Sequence, residues 1–208
     1  MKPIQVFYRT CYHSPNQDLA NRSRPDWFSK EKCFKNFKKT LNPELVDYTV
    51  VYDSYHQPDG DGNIPPMIKS ESFRIRNIGS EAGSFLETLN LALRTCNSGQ
   101  IVYFLEDDYL HTNNWCDKML EGFELGADYL TGLDHGDKYR DYPALKSKLF
   151  VSDSCHWRTT PSTTNTFAVK YETLVEDAEI HRKYSENLQI TQDWANIVTG
   201  KQIGRAHV

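Results

Sequence analysis

The chain has 208 residues, 38% hydrophobic and 25% charged, with a formal net charge of −4, which is enough for one domain with a sizeable core. No apolar run approaches the roughly 20 residues of a membrane helix, and the apolar stretch within Met1 to Tyr8 is too short for a signal peptide. The five cysteines are widely spaced and include no Cys-x-x-Cys, which argues against a disulfide framework or a zinc site and for reduced thiols in a cytoplasmic protein.

The charge is unevenly spread. Residues 1–40 carry nine Lys/Arg against three Asp/Glu, a balance of +6, so the remainder sums to −10. A basic first third facing an acidic centre suits an anionic ligand held partly through a metal. The competing reading is a solvated basic helix from Lys30 to Lys39.

In chain order, Ile4 to Thr10 has the composition of a first strand. Cys11 to Asp26 is polar and punctuated by proline and asparagine, long for a structureless connection and so a candidate functional loop. Trp27, Phe34, Phe37 and Leu41 recur near helical spacing with lysines opposite, which predicts a helix ended by Asn42-Pro43. Tyr48 to Asp53 is a second strand ending in an acid. Asp59-Gly60-Asp61-Gly62-Asn63 imitates a calcium loop, but the sixth position is Ile64 rather than glycine and two prolines follow, so no calcium site is expected.

Ser72 to Arg76 alternates like a strand. Ser80 can cap the next helix, with Phe85, Leu86, Leu89 and Leu93 on its inner face. Ile101 to Leu105 is almost unbroken in apolarity, as in a parallel strand buried on both faces. Asn114 to Leu125 is a helix, Asp128 to Leu133 a short strand, and Gly136 to Lys148 a loop. Leu149 to Val151 and Thr166 to Val169 are further strands, Glu172 to Tyr184 is helical, and Thr191 to Val198 begins another helix. The alternation of strands and helices through residue 133 predicts an α/β sandwich on a mostly parallel sheet.

The chemistry gathers at the end of the apolar strand. Glu106, Asp107 and Asp108 are three consecutive carboxylates that repel one another, and ligands of open α/β sheets bind beyond the carboxyl ends of the strands. Thr10 and Asp53 stand at two other strand ends. Hard oxygen ligands there suit Mg²⁺ or Mn²⁺, which take remaining ligands from water and substrate phosphates. The same acids would also suit the approach to a helix N-terminus.

Gly99-Gln100-Ile101-Val102-Tyr103-Phe104-Leu105-Glu106-Asp107-Asp108 resembles the "G-E-Y-I-x-F-L-D-x-D" segment of family-2-like glycosyltransferases of the GT-A fold. Asn77-Ile78-Gly79 with the helix around Leu89 to Leu93, Val50 to Ser54, and Tyr8-Arg9-Thr10 resemble the family's neighbouring motifs, in order and spacing over about residues 4–135. The resemblance implies a three-layer α/β/α sandwich and a metal-dependent transfer of a sugar from a nucleotide-diphosphate donor, UDP-linked by expectation, to a glycan or other hydroxyl acceptor. It makes Asp108 the direct Mn²⁺ or Mg²⁺ ligand. Glu106 or Asp107 would hold the ribose or a metal-bound water, and Thr10 and Asp53 would line the nucleotide pocket. Arg9 and Arg76 are candidates to pair with phosphate. Glu106 departs from the usual first Asp of the motif.

Thr191-Gln192-Asp193-Trp194 resembles the acid at the head of a late helix that serves as base in inverting members, which makes Asp193 the candidate base. The absence of the Gln-x-x-Arg-Trp of processive members favours single transfer. Asp134 to Tyr139 and His156 to Thr166 fall where such enzymes contact sugar and acceptor, with His135 and His156 left unassigned. The alternatives are a nucleotidyltransferase, against which the glycine-free Cys11 to Asp26 counts, and a non-catalytic nucleotide-sugar or glycan-binding module. No nucleic-acid partner is expected; peripheral membrane contact stays open. Ile203 to Val208 resembles translated sequencing adapter, so residues 1–202 are read as one domain truncated at its C-terminus and 203–208 as a non-native tail, set aside for the fold.

Overall fold

The computed structural model describes residues 1–12, 24–55, 64–71, 73–76, 78–134, 136–142, 144–161, 163 and 166–186, without the side chains of 73–76, 137 and 186. The strands β1 (Ile4–Cys11), β2 (Val46–Asp53), β3 (Phe73–Arg76) and β4 (Ile101–Glu106) run parallel. The helices α1 (Lys30–Thr40) and α2 (Glu81–Thr95) precede β2 and β4. After them come α3 (Trp115–Glu124), β5 (Tyr129–Leu130), α4 (Asp137–Arg140), β6 (Leu149–Val151), β7 (His156–Arg158), β8 (Phe167–Lys170), α5 (Tyr171–Glu176) and α6 (Ala178–Glu186). The main sheet has the order β3-β2-β1-β4-β8-β5, with β8 antiparallel to both neighbours, while β6 and β7 form a separate hairpin. Among the described residues no helix is long and apolar enough to cross a membrane.

Two apolar cores sandwich the sheet, and period-two alternation assigns the side chains to them. Ile4, Val6 and Tyr8 of β1 and Ile101, Tyr103 and Leu105 of β4 pack with Phe34 and Phe37 of α1 and Trp115, Met119 and Phe123 of α3. Phe7, Val102 and Phe104 face the other way, onto Phe85, Leu89 and Ala92 of α2. The expected α/β/α sandwich on a mostly parallel sheet is therefore the observed one.

The local differences have physical reasons. The first helix begins at Lys30 rather than Trp27, because the Ser29 hydroxyl accepts from the Lys32 amide and caps it there; Trp27 is exposed. Ser80 caps α2 as expected, accepting from the Gly83 amide. The long helix predicted from Glu172 is two helices. Asp177 interrupts them, buried and accepting a 2.9 Å hydrogen bond from the Tyr129 hydroxyl. The stretch 156–158 adds a strand between the expected ones, and 137–140 forms a helical turn within the segment Gly136 to Lys148 expected to be a loop.

Candidate active site

Four parallel strands end at one rim, and register brings specific residues together there. Arg9 pairs across the sheet with Glu106, and Cys11 with Asp53. Alternation then sorts them by face. Arg9 and Glu106 lie on the α2 side with Phe104, whereas Thr10 follows Tyr8 towards α1.

On the α2 side, Arg9 is buried with its guanidinium 5.6 Å from the centre of the Phe85 ring. Its Nη2 donates to the Glu81 carbonyl at 3.1 Å, its Nη1 lies 4.0 Å from the Glu106 carboxylate, and Nε and Nη1 have no hydrogen-bond partner among the described residues. A buried guanidinium with unused donors is costly unless an anion meets it. Burial pushes the Glu106 carboxyl up to about 7, against the pull of Arg9 and with help from Asp108, Glu81 and Asp107. The Glu106 amide donates to Thr166 Oγ1 at 3.1 Å, which ties the acidic strand end to β8.

On the α1 side, Thr10 Oγ1 donates to Asp107 Oδ2 at 2.6 Å, and Lys30 Nζ sits 3.0 Å from the same oxygen. Lys30 also donates to the Cys11 carbonyl at 2.7 Å. Burial works against its charge, but Asp107 and Cys11 outweigh burial, and its pKa is raised. Arg24 Nη1 donates to Asp108 Oδ2 at 2.7 Å, with its guanidinium stacked 4.6 Å from the centre of the Phe28 ring. The other oxygen of Asp108, Oδ1, is buried and without a partner among the described residues. Residues 107–114 are turns and irregular chain before α3, so the acids do not form the first turn of a helix.

Each of the three acids thus faces a cation from the first thirty residues: Arg9, Lys30 and Arg24. The basic excess of residues 1–40 signalled this, yet Lys30 and Arg24 were not singled out as site residues. The basic helix divides between the two readings, with Lys30 in the rim and Lys35 in an exposed pair with Glu31. Among the described residues no group of three His, Cys, Asp or Glu side chains is set to hold a metal ion. The free, buried Oδ1 of Asp108 nevertheless fits a hard cation that takes one or two carboxylates and completes its shell with phosphate and water.

Asp53 is occupied differently. Its Oδ1 accepts from the Tyr55 and Ile78 amides at 3.1 Å each, and its Oδ2 from the Gly79 amide at 3.0 Å. Gly79 has φ +74°, and a Cβ there would meet the Tyr55 ring at 2.5 Å, so the turn Asp53 holds accepts only glycine without strain. Arg76 ends β3 opposite Asp53 in register, which puts its backbone at the same rim. Asp193 and His135 lie outside the described residues.

The two stretches expected near sugar and acceptor are joined through Arg158. It pairs with Asp134 at 2.5 Å, donates from Nε to the Tyr139 hydroxyl at 3.1 Å and stacks on the Tyr139 ring at 4.9 Å, while Tyr139 donates to Asp134 at 2.6 Å. His111 was also not foreseen. It follows the acids on the chain, its Nε2 shares a hydrogen bond with the Tyr103 hydroxyl at 3.1 Å, and Nδ1 has no partner among the described residues. Burial lowers its pKa to about 4. A cleft of about 490 Å³ at the opposite end of the sheet is lined in part by Lys2, Asp47, Lys38 and Glu71, which pair with one another at 2.7 and 3.2 Å.

No family model matches the chain, and no curated protein matches it. Solved structures do. Residues 1–349 of S. aureus TarS align over 100% of this chain and 58% of that one, with 15% identity and a TM-score of 0.55. The chain therefore spans less than two thirds of that protein's crystallised length. A CMP:2-keto-3-deoxy-manno-octonic acid synthetase complexed with CTP aligns over 100% of this chain and 90% of that one, with 9% identity and a TM-score of 0.53. The fold is that of the nucleotide-diphospho-sugar transferases, the GT-A architecture expected from the strand-end motifs.

Proposed function

We propose that the chain is a metal-dependent glycosyltransferase that moves a sugar from a nucleotide-diphosphate donor, UDP-linked by expectation, to an acceptor hydroxyl. The observation that supports it best is the rim where β1 and β4 end. There Asp108, with a buried oxygen that has no partner among the described residues, pairs with Arg24, and the rim also holds Arg9 with two buried donors unused among the described residues.

In this reading Asp108 holds Mn²⁺ or Mg²⁺ through Oδ1. A bound cation of this kind supplies charge neutralisation at the diphosphate. Arg9 binds phosphate oxygens through its two unused donors on the α2 side of the rim. Lys30 holds the Asp107 carboxylate in place, so that Thr10 and Asp107 present a rigid polar edge to the ribose. Asp193, proposed as the base, takes the proton of the acceptor hydroxyl. The hydroxyl oxygen then forms a bond to the anomeric carbon as the bond to the diphosphate oxygen breaks, with inversion. Arg76 remains a candidate second phosphate contact. Arg158, with Asp134 and Tyr139, shapes the acceptor side.

The test is nucleoside diphosphate release from a panel of UDP-sugars in Mn²⁺, with and without EDTA. Metal-dependent release lost in Asp108→Asn supports the reading. A chain that gives neither release nor a metal-dependent thermal shift with UDP overturns it. The synthetase match supports a second reading, a nucleotidyltransferase. Pyrophosphate release from CTP with a sugar acid, and none of UDP from UDP-sugars, would select that one.

A further inference from the structure

The three cations at the rim are not held alike. Arg9 is buried beneath the sheet edge against Phe85. Lys30 is anchored, with a side chain 19% exposed and bonds to Asp107 and the Cys11 carbonyl. Arg24 is the outlier. Its side chain is 39% exposed, and among the described residues its one hydrogen bond is a single 2.7 Å contact with Asp108 Oδ2.

That contact is half of what the two groups could make. Guanidinium and carboxylate favour a two-bonded fork, yet among the described residues Asp108 Oδ1 is buried without a partner while Arg24 uses one nitrogen. The backbone turn closed by Phe28 N–H to the Pro25 carbonyl at 2.8 Å sets the Phe28 ring beneath the guanidinium. Phe28 is therefore a platform that holds the planar group at the rim whether or not the carboxylate does. An exposed, singly bonded ion pair is weak, and a divalent cation competes for the same carboxylate.

We infer that Arg24 is an exchangeable counter-ion: it pairs with Asp108 in the chain alone, and with the donor's diphosphate once a divalent cation has taken Asp108. This rests on Asp108 being the metal ligand, as proposed above. Arg24 opposes the first binding event and assists the second. Its free fork is the group that matches two phosphate oxygens, and its displacement links metal loading to donor capture. The exchange favours a ternary complex over a site loaded with metal alone.

The experiment compares the full chain with Arg24→Ala and Arg24→Lys, using Mn²⁺ alone and then UDP in saturating Mn²⁺. Free Mn²⁺ is followed by its EPR signal and UDP binding by calorimetry. Arg24→Ala is expected to bind Mn²⁺ alone about fivefold more tightly, the equivalent of one exposed ion pair. It is expected to bind UDP about tenfold more weakly, for loss of a charge-assisted contact. Arg24→Lys keeps the charge and loses the fork, so Mn²⁺ affinity stays near that of the unchanged chain while UDP affinity falls. Weaker binding of both ligands by Arg24→Ala, or no change in either, overturns the exchange and leaves the glycosyltransferase reading standing. An unchanged chain that binds no Mn²⁺ even with UDP present overturns both.

Discussion

Two acids end neighbouring regions of the same rim, and the protein uses them in opposite ways. At the end of β2, Asp53 is buried and both of its oxygens accept backbone amides, from Tyr55, Ile78 and Gly79. Just past the end of β4, Asp108 has one oxygen on an exposed arginine and the other without a partner among the described residues. The first carboxylate is spent on architecture: it ties the β2 end to the turn before α2 and sets the wall of the rim. The second carries unfilled capacity. A strand-end acid is therefore not a binding residue by position alone; what separates the two is whether the backbone has already saturated it.

The largest effect that would sharpen this contrast is on stability at Asp53. Asp53→Ala leaves three amide donors without their acceptor, at roughly 1–3 kcal/mol for each group that stays shielded from water. A loss of about 4 kcal/mol is expected, read as a lower midpoint in urea denaturation with an unchanged slope. Asp53→Asn keeps one accepting oxygen and loses about half as much. An Asp53→Ala chain of unchanged stability would show that the two acids are alike after all.

The next effect is at low pH and belongs to the β4 side. Unfolded, His111 titrates near its ordinary 6.5; folded, burial holds it near 4. A folded pKa below the unfolded one means that the unfolded chain takes the proton first as pH falls. The stability this histidine contributes is complete above pH 6.5 and is lost progressively down to pH 4. The loss is roughly 3 kcal/mol over that window, measured as the fall in unfolding free energy with pH. His111→Phe should flatten it. A fall of the same size in His111→Phe would assign the pH dependence elsewhere.

What was legible in the sequence follows the same division. Strand ends were legible, because β-forming runs stop at acids, and register then fixes which ends meet: Thr10, Asp53 and Glu106 all lie where strand order puts them. Their partners were not. Thr10 meets Asp107 across 97 positions and Arg24 meets Asp108 across 84, and no local pattern encodes such pairs. Lys30 is the exception. On a helical wheel it falls with Cys33, Phe34 and Phe37 on the inner face, not with Lys32, Lys35 and Lys39, and a charged residue on that face at the first turn of α1 reaches Asp107 beyond the strand ends. Asp53 was visible as an acid, yet its task depends on amides of residues 78 and 79, which only the folded turn brings to it. The second half was less legible because its strands are short and β8 is antiparallel, which gives neither long apolar runs nor regular alternation with helices.

Lys30 supplies a test between the extremes. Among the described residues its partner Asp107 keeps only the Thr10 hydroxyl when the amine is removed. Lys30→Met should cost about 2 kcal/mol, since one half of a largely shielded ion pair is left uncompensated. Asp107→Asn in the same background should restore part of it. Recovery in the double variant, seen as a midpoint above that of Lys30→Met, marks a true pair; strict additivity would mean that Lys30 acts through its bond to the Cys11 carbonyl instead.

The smallest expected change in stability is at Asp108, and it is the one that bears most on function. Asp108→Asn removes a half-exposed ion pair worth at most about 1 kcal/mol. It also relieves repulsion on Glu106, whose carboxyl Asp108 helps to push up. The two effects oppose each other, so the midpoint should move by less than about 0.5 kcal/mol in either direction. UDP binding in Mn²⁺ should nonetheless fall by about tenfold or more, because the free oxygen that fits the cation is replaced by a poorer ligand. A residue kept for stability loses stability when changed, and one kept for a ligand loses the ligand. If Asp108→Asn instead unfolds the chain as readily as Asp53→Ala does, its second oxygen is satisfied by the fold after all, and the rim has no unfilled carboxylate to offer a metal.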